Sequence, residues 1–182
     1  MNVPNFFSIL RIVSIPLFII LVSYQRYEAA FVVFGFAAVT DAVDGFLARV
    51  LKQQTVLGAY LDPIADKLLL ISAFIAFALL GLMPRWLAIL VVSRDVMILV
   101  GILLLRLCGY LIEIRPSILS KCTTVMQILA VGLTLLLHVL HKSSAVLTMV
   151  LWVTGILTIV SGIHYIWRAV RIVNDNNNIY NT

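Results

Sequence analysis

The stretch Asp41-Ala42-Val43-Asp44-Gly45-Phe46-Leu47-Ala48-Arg49, followed eight residues later by Gly58-Ala59-Tyr60-Leu61-Asp62-Pro63-Ile64-Ala65-Asp66, gathers four carboxylates in a chain otherwise composed to dissolve in lipid. A charged side chain near a bilayer centre costs about 2.5–3.5 kcal/mol on insertion scales, so four uncompensated carboxylates would cost on the order of 10 kcal/mol. Something must offset them. Asp41 and Asp44 are three residues apart and Asp62 and Asp66 four apart, so each pair shares one helical face, one turn above the other. Two antiparallel helices carrying these pairs can aim all four carboxylates at one point.

The surrounding composition fixes the class. Hydrophobic residues make up 63% of the 182 residues and charged residues 12%, with a mean hydropathy of +1.11, whereas in soluble domains charged residues alone make up about a quarter. The sequence therefore describes an all-α integral membrane protein. Apolar segments fall at about 6–23, 29–50, 59–80, 85–106, 119–140 and 145–168, which predicts six transmembrane helices in one membrane domain over residues 1–173. The segment 174–182 is polar and Asn-rich, and is expected to be a disordered tail. The first apolar run contains Arg11 and lacks a small-residue cleavage pattern, so it is expected to remain as the first helix rather than be removed as a signal peptide.

The formal charge of +5 does not point to nucleic acid, because the cationic residues are dispersed among apolar runs rather than gathered into a stripe. Topology explains them better. With six helices, one side collects Arg49, Lys52, Arg106, Arg115, Lys121, Arg168 and Arg171, and the other only Arg26, Arg85 and Lys142. That asymmetry puts both termini, and the Asp-bearing helix ends, on the cytoplasmic side. Cys108 and Cys122 have no metal-ligand spacing and read as apolar filler. His138, His141 and His164 read as interfacial or packing residues. Trp86, Trp152 and Trp167, near helix ends, read as interfacial anchors.

Four carboxylates without His or Cys suit a hard cation such as Mg²⁺, Mn²⁺ or Ca²⁺, and four negative charges in a low dielectric suit two of them. Metal pairs of this kind clamp the attacking and leaving oxygens of a phosphoryl displacement. Gly45 and Gly58, each one turn from an Asp, leave room for a ligand to approach the backbone. Arg49 shares the face of Asp41 and Asp44, and its guanidinium fork can grip phosphate oxygens. A diphosphate site is one reading. Others keep the carboxylates as ion-pair partners of Lys67 and Arg49, as relay or binding groups of a cation or proton transporter, or as relics on an inactive scaffold.

The quoted residues spell D-x2-D-G-x2-A-R-x8-G-x3-D-x3-D, and on that motif the chain resembles the CDP-alcohol phosphotransferases at every specified position. The resemblance extends from Pro4-Asn5, Ser8 and Arg11 to the last helix. It implies transfer of a phosphatidyl group from CDP-diacylglycerol to an alcohol with release of CMP, in a bacterial inner membrane, by a homodimer holding two Mg²⁺ or Mn²⁺ ions. It assigns Asp41, Asp44 and Asp62 as metal ligands and Asp66 as a ligand or as the general base. Gly45, Ala48, Arg49 and Gly58 match the family's nucleotide and diphosphate contacts. Asn5 matches a further nucleotide contact, or serves as a polar cap at a helix start.

Arg94, in the middle of the fourth segment, must face the interior, where it either pairs with Asp95 or binds an anion. With Lys121 at the start of the fifth, it predicts an acceptor that carries its own phosphate. Glycerol 3-phosphate and phosphatidylglycerol both qualify. The resemblance fits both branches, and glycerol 3-phosphate is preferred as the commoner bacterial acceptor, although Ser93-Arg94-Asp95 and Ser120-Lys121 look more like the branch that accepts phosphatidylglycerol. The glycerol 3-phosphate branch more often has Glu where this chain has Asp95 and Gly where it has Ser120.

Overall fold

The computed structural model describes residues 3–51, 56–108, 117–142 and 144–180, with side chains described for 10–40, 67–105, 107–108, 117–142 and 144–174. The apolar runs become helices α1 (Val3–Ser23), α2 (Tyr27–Leu51), α3 (Val56–Leu79), α4 (Arg85–Leu107), α5 (Ile118–Val139) and α6 (Ala145–Tyr180). No strand occurs among the described residues. The last helix differs most from expectation, continuing as regular helix from 168 through the polar segment to Tyr180. No Gly or Pro follows Gly162, so nothing in the chain's covalent structure forces it to stop. Three helices contain spans long and apolar enough to cross a membrane within the described residues, over Arg85–Leu105, Ile118–Val139 and Ala145–Asn174. Shorter apolar stretches occupy Leu10–Ser23, Tyr27–Thr40 and Lys67–Leu79.

Three tight turns reverse the chain at one end of the bundle. After α1, Gln25 adopts φ 57°, Arg26 N–H donates to the Leu21 carbonyl at 2.8 Å, and Gln25 N–H donates to Val22 at 3.0 Å. That pattern is a Schellman closure, which satisfies carbonyls left over at the helix end. After α5, His141 (φ 50°) repeats it, with Lys142 N–H on Leu137 at 2.9 Å and His141 N–H on His138 at 3.2 Å. After α3 the left-handed residue is Gly81, and Leu82 N–H reaches Phe77 at 2.8 Å. Each turn makes its two helices antiparallel neighbours.

Packing among the described residues closes the helices into a ring in the order α1, α3, α4, α6, α5, α2, with α3 also meeting α5 across the middle. Phe18 of α1 anchors the turn-proximal half, its ring centroid 5.9 Å from Phe34 of α2 and 6.1 Å from Phe77 of α3. Leu87, Val91, Val131 and Leu135 continue that core with no exposed surface. On the other side α4 and α6 run parallel, and Trp86 lies 5.0 Å from Trp152 over the α6 backbone. Gly155 makes room for it, since a Cβ there would stand 2.7 Å from the Trp86 ring.

The outside of the bundle is apolar and part of its inside is polar. Val32, Phe36, Ile89, Leu103, Val125, Ile156 and Ile163 are exposed, whereas Arg11, Arg94, Asp95, Thr123, Gln127, Thr134, Thr154, Thr158 and Ser161 are buried. Only a lipid solvent makes that distribution favourable. Buried hydroxyls are satisfied along their own helices: Thr134 donates to Ala130, Thr154 to Val150 and Thr158 to Thr154, each at 2.7 Å.

Candidate active site

The backbone carries Asp41 and Asp44 on α2 and Asp62 and Asp66 on α3. Their side chains, with those of Asn5, Gly45, Ala48, Arg49 and Gly58, lie outside the described residues. Helix register nevertheless gives the level of the α2 residues in the bundle. The Tyr27 and His138 rings, 5.3 Å apart, tie the start of α2 to the end of α5. Counting equal numbers of residues down both antiparallel helices from that contact brings Thr124 level with Asp41, Lys121 with Asp44 and Ser120 with Gly45.

At that level the described residues hold a continuous polar network. Lys67, next in sequence to Asp66, donates to both carboxylate oxygens of Asp95, at 2.8 and 2.9 Å. Arg94 Nη1 donates to Asp95 Oδ1 at 2.7 Å, and its Nη2 donates to Ser120 Oγ at 2.8 Å and Ser161 Oγ at 2.6 Å. The Arg94 guanidinium also lies 5.6 Å from the centre of the Tyr165 ring. One side chain of α4 thus reaches α5 and α6, and its neighbour reaches α3.

Charge and burial divide the roles within the network. Arg94 and Asp95 are 4% and 3% exposed, a depth at which a lone ion would be prohibitive and a hydrogen-bonded pair is tolerated. Lys67 is 34% exposed. Lys121, the second cation expected at an acceptor site, is exposed on α5, one residue beyond Ser120. Of the two alternatives open for Arg94, the structure shows the pairing with Asp95. Lys67, considered from sequence as a counter-ion for the motif carboxylates, is paired with Asp95. Ser161 and Tyr165 were not legible as site residues, because their contact with Arg94 depends on α4 and α6 being parallel neighbours. The one sequence signal was a serine beside Gly162 in a largely apolar helix.

Gln127, one turn beyond Thr123 on α5, is fully buried with no hydrogen-bond partner for either amide atom. Among the described residues no group of three or more His, Cys, Asp or Glu could hold a metal ion. The four motif aspartates are not in that set.

An all-helical bundle, apolar outside and bearing a buried ionic network at the level of Asp41 and Asp44, is an integral membrane protein with a polar interior. Residues 1–160 match the CDP-alcohol phosphatidyltransferase family, and the chain belongs to it. It is 36% identical to a probable phosphatidylglycerophosphate synthase of Mycobacterium tuberculosis (strain ATCC 25618 / H37Rv), over 93% of this chain and 82% of that one. It is 35% identical to the CDP-diacylglycerol--glycerol-3-phosphate 3-phosphatidyltransferase of Bacillus subtilis (strain 168), over 95% of this chain and 99% of that one. A cardiolipin synthase (CMP-forming) of Homo sapiens is 28% identical, over 96% of this chain and 64% of its own length.

Proposed function

We propose that this protein transfers the phosphatidyl group of CDP-diacylglycerol to glycerol 3-phosphate, forming phosphatidylglycerophosphate and releasing CMP. The observation that carries the reading is similarity to the Bacillus subtilis enzyme of that name across nearly the full length of both chains. The acceptor hydroxyl oxygen attacks the β-phosphorus, the bond from that phosphorus to the bridging oxygen breaks, and CMP leaves with the electron pair. Asp66 takes the proton of the attacking hydroxyl. Arg49 grips the diphosphate, Gly45, Ala48 and Gly58 let it lie close to the helices, and Asn5 meets the nucleotide.

The donor set fits a divalent metal pair, since carboxylate oxygens without nitrogen or sulfur select hard cations such as Mg²⁺ or Mn²⁺. Asp41, Asp44, Asp62 and Asp66 would hold it, and bound ions there supply electrostatic stabilisation of the diphosphate as charge shifts to the leaving group. The cationic zone that includes Arg94 and Lys121 is the acceptor's side of the site. All six helices cross a bacterial inner membrane, with both termini and the Asp-bearing ends cytoplasmic, in a homodimer.

A second reading takes phosphatidylglycerol as acceptor and makes cardiolipin. Asp95 and Ser120, the positions at which the chain departs from the usual pattern of the glycerol 3-phosphate branch, both bond Arg94. Purified protein given CDP-diacylglycerol, Mg²⁺ or Mn²⁺ and either acceptor separates the two by product mass. Phosphatidylglycerophosphate from glycerol 3-phosphate is expected, and cardiolipin alone would replace the first reading with the second. Chelation of the divalent ion should abolish CMP release. Release undiminished in excess chelator would remove the metal from the proposal.

A further inference from the structure

Among the described residues the network holds two cations and one carboxylate: Lys67 and Arg94 share Asp95. Both oxygens of that carboxylate are already taken, Oδ1 by Lys67 and Arg94 and Oδ2 by Lys67. Arg94 commits three of its five N–H donors to Asp95, Ser120 and Ser161, and burial leaves it little access. Its Nε is buried without a partner, so the guanidinium already lies under-compensated in a low dielectric. Lys67 differs in both respects. An ammonium has three N–H donors, two of which point at Asp95, and the group is one-third exposed.

We propose that Lys67 is the group that meets the phosphate of the acceptor, with Asp95 as the positioning residue that aims it and Arg94 acting only through Asp95. This rests on the reading of the chain as a phosphatidyltransferase with a phosphate-bearing acceptor, and it reassigns the contact within the cationic zone. The phosphate can be the monoester of glycerol 3-phosphate or the diester of phosphatidylglycerol, since a point-charge ammonium accepts either. The ring order favours acceptor over donor. The network joins α3, α4, α5 and α6, whereas of the proposed donor contacts Asn5, Gly45, Ala48 and Arg49 belong to α1 and α2 on the opposite arc and only Gly58 lies on a helix of the network, α3.

The test uses full-length protein in detergent with CDP-diacylglycerol, varying glycerol 3-phosphate in one arm and phosphatidylglycerol in the other. Lys67→Met should raise the KM of the productive acceptor about ten- to hundredfold while the CDP-diacylglycerol KM stays within about twofold. Lys67→Arg should recover most of the loss. Asp95→Asn should raise the same KM, and adding it to Lys67→Met should cost little more, because a positioning residue has no effect once its client is gone. An unchanged acceptor KM in Lys67→Met, or an equal rise in the donor KM, overturns the proposal. If Asp95→Asn does not fold, Lys67→Met and Lys67→Arg decide alone, since both leave the Arg94–Asp95 pair intact. If the unaltered protein releases no CMP with either acceptor, the reaction assignment fails, and ligand-observed NMR titration of glycerol 3-phosphate decides the site separately. Binding lost in Lys67→Met supports it, and equal binding overturns it.

Discussion

At the scale of single residues, the four aspartates carry different burdens. If Asp66 takes the acceptor's proton, Asp66→Asn should lower kcat by about 10²–10⁴-fold, because an amide fills the same space but accepts no proton. CDP-diacylglycerol affinity, measured by equilibrium binding, should change little. A parallel loss of affinity and rate would instead make Asp66 chiefly a metal ligand. Asp41→Asn should differ, weakening divalent-ion and nucleotide binding together. These expectations rest on the motif, whose spacing puts each pair on one helix face. The partners of Arg94 were only partly legible. Asp95 is its sequence neighbour, but Ser120 and Ser161 are remote in sequence and meet it through helix packing. No periodicity in the chain encodes that three-way contact.

At the scale of elements, the apolar runs gave the helices and most of their ends, but not how the ends are closed. Gly81 is an ordinary residue for a left-handed helix stop, whereas Gln25 and His141 adopt that conformation with a Cβ, which costs about 1–2 kcal/mol. His141→Gly should therefore raise stability by up to about 1 kcal/mol, after the larger loss of chain entropy at Gly, seen as a higher melting temperature in detergent. No change or a fall would show that the His141 side chain contributes something a glycine removes. Gly155 is the opposite case. A Cβ there meets the Trp86 ring at 2.7 Å, so Gly155→Ala should push Trp86 off α6, disturb its stacking with Trp152 and destabilise the fold by about 1–3 kcal/mol. Trp86→Leu combined with Gly155→Ala should recover part of that loss if the steric conflict is its cause. The polar run after residue 168 shows the limit of composition as a guide: low helix propensity predicts fraying, yet α6 continues through it because a helix already nucleated extends residue by residue at little cost.

At the scale of the whole molecule, the aromatic and cationic residues sort toward the two ends of the bundle. Trp86 and Trp152 pair near the end that carries the three tight turns. Near the other, Arg171 lies 5.5 Å from the ring centre of Trp167. Such belts are expected at the two interfaces of a bilayer, and in the proposed orientation the Trp167 end, where Lys and Arg are in excess, is the cytoplasmic one. The orientation matters to the proposed reaction, because the backbone carries Asp41, Asp44, Asp62 and Asp66 in the half of the bundle toward that end, and on that proposal the CDP-linked donor and the phosphorylated acceptor reach them from the cytoplasm. The chain supplies its own reporter. Cys108, exposed just past the end of α4, becomes the single thiol once Cys122→Ser is made. A membrane-impermeant maleimide should label it in inside-out vesicles and leave it unlabelled in right-side-out ones. Lys142→Cys in a cysteine-free background, in the turn between α5 and α6, should label with the opposite sidedness. Labelling of Cys108 from the outer face would invert the molecule, and the carboxylates would then open toward a compartment without nucleotide, which is incompatible with the proposed reaction.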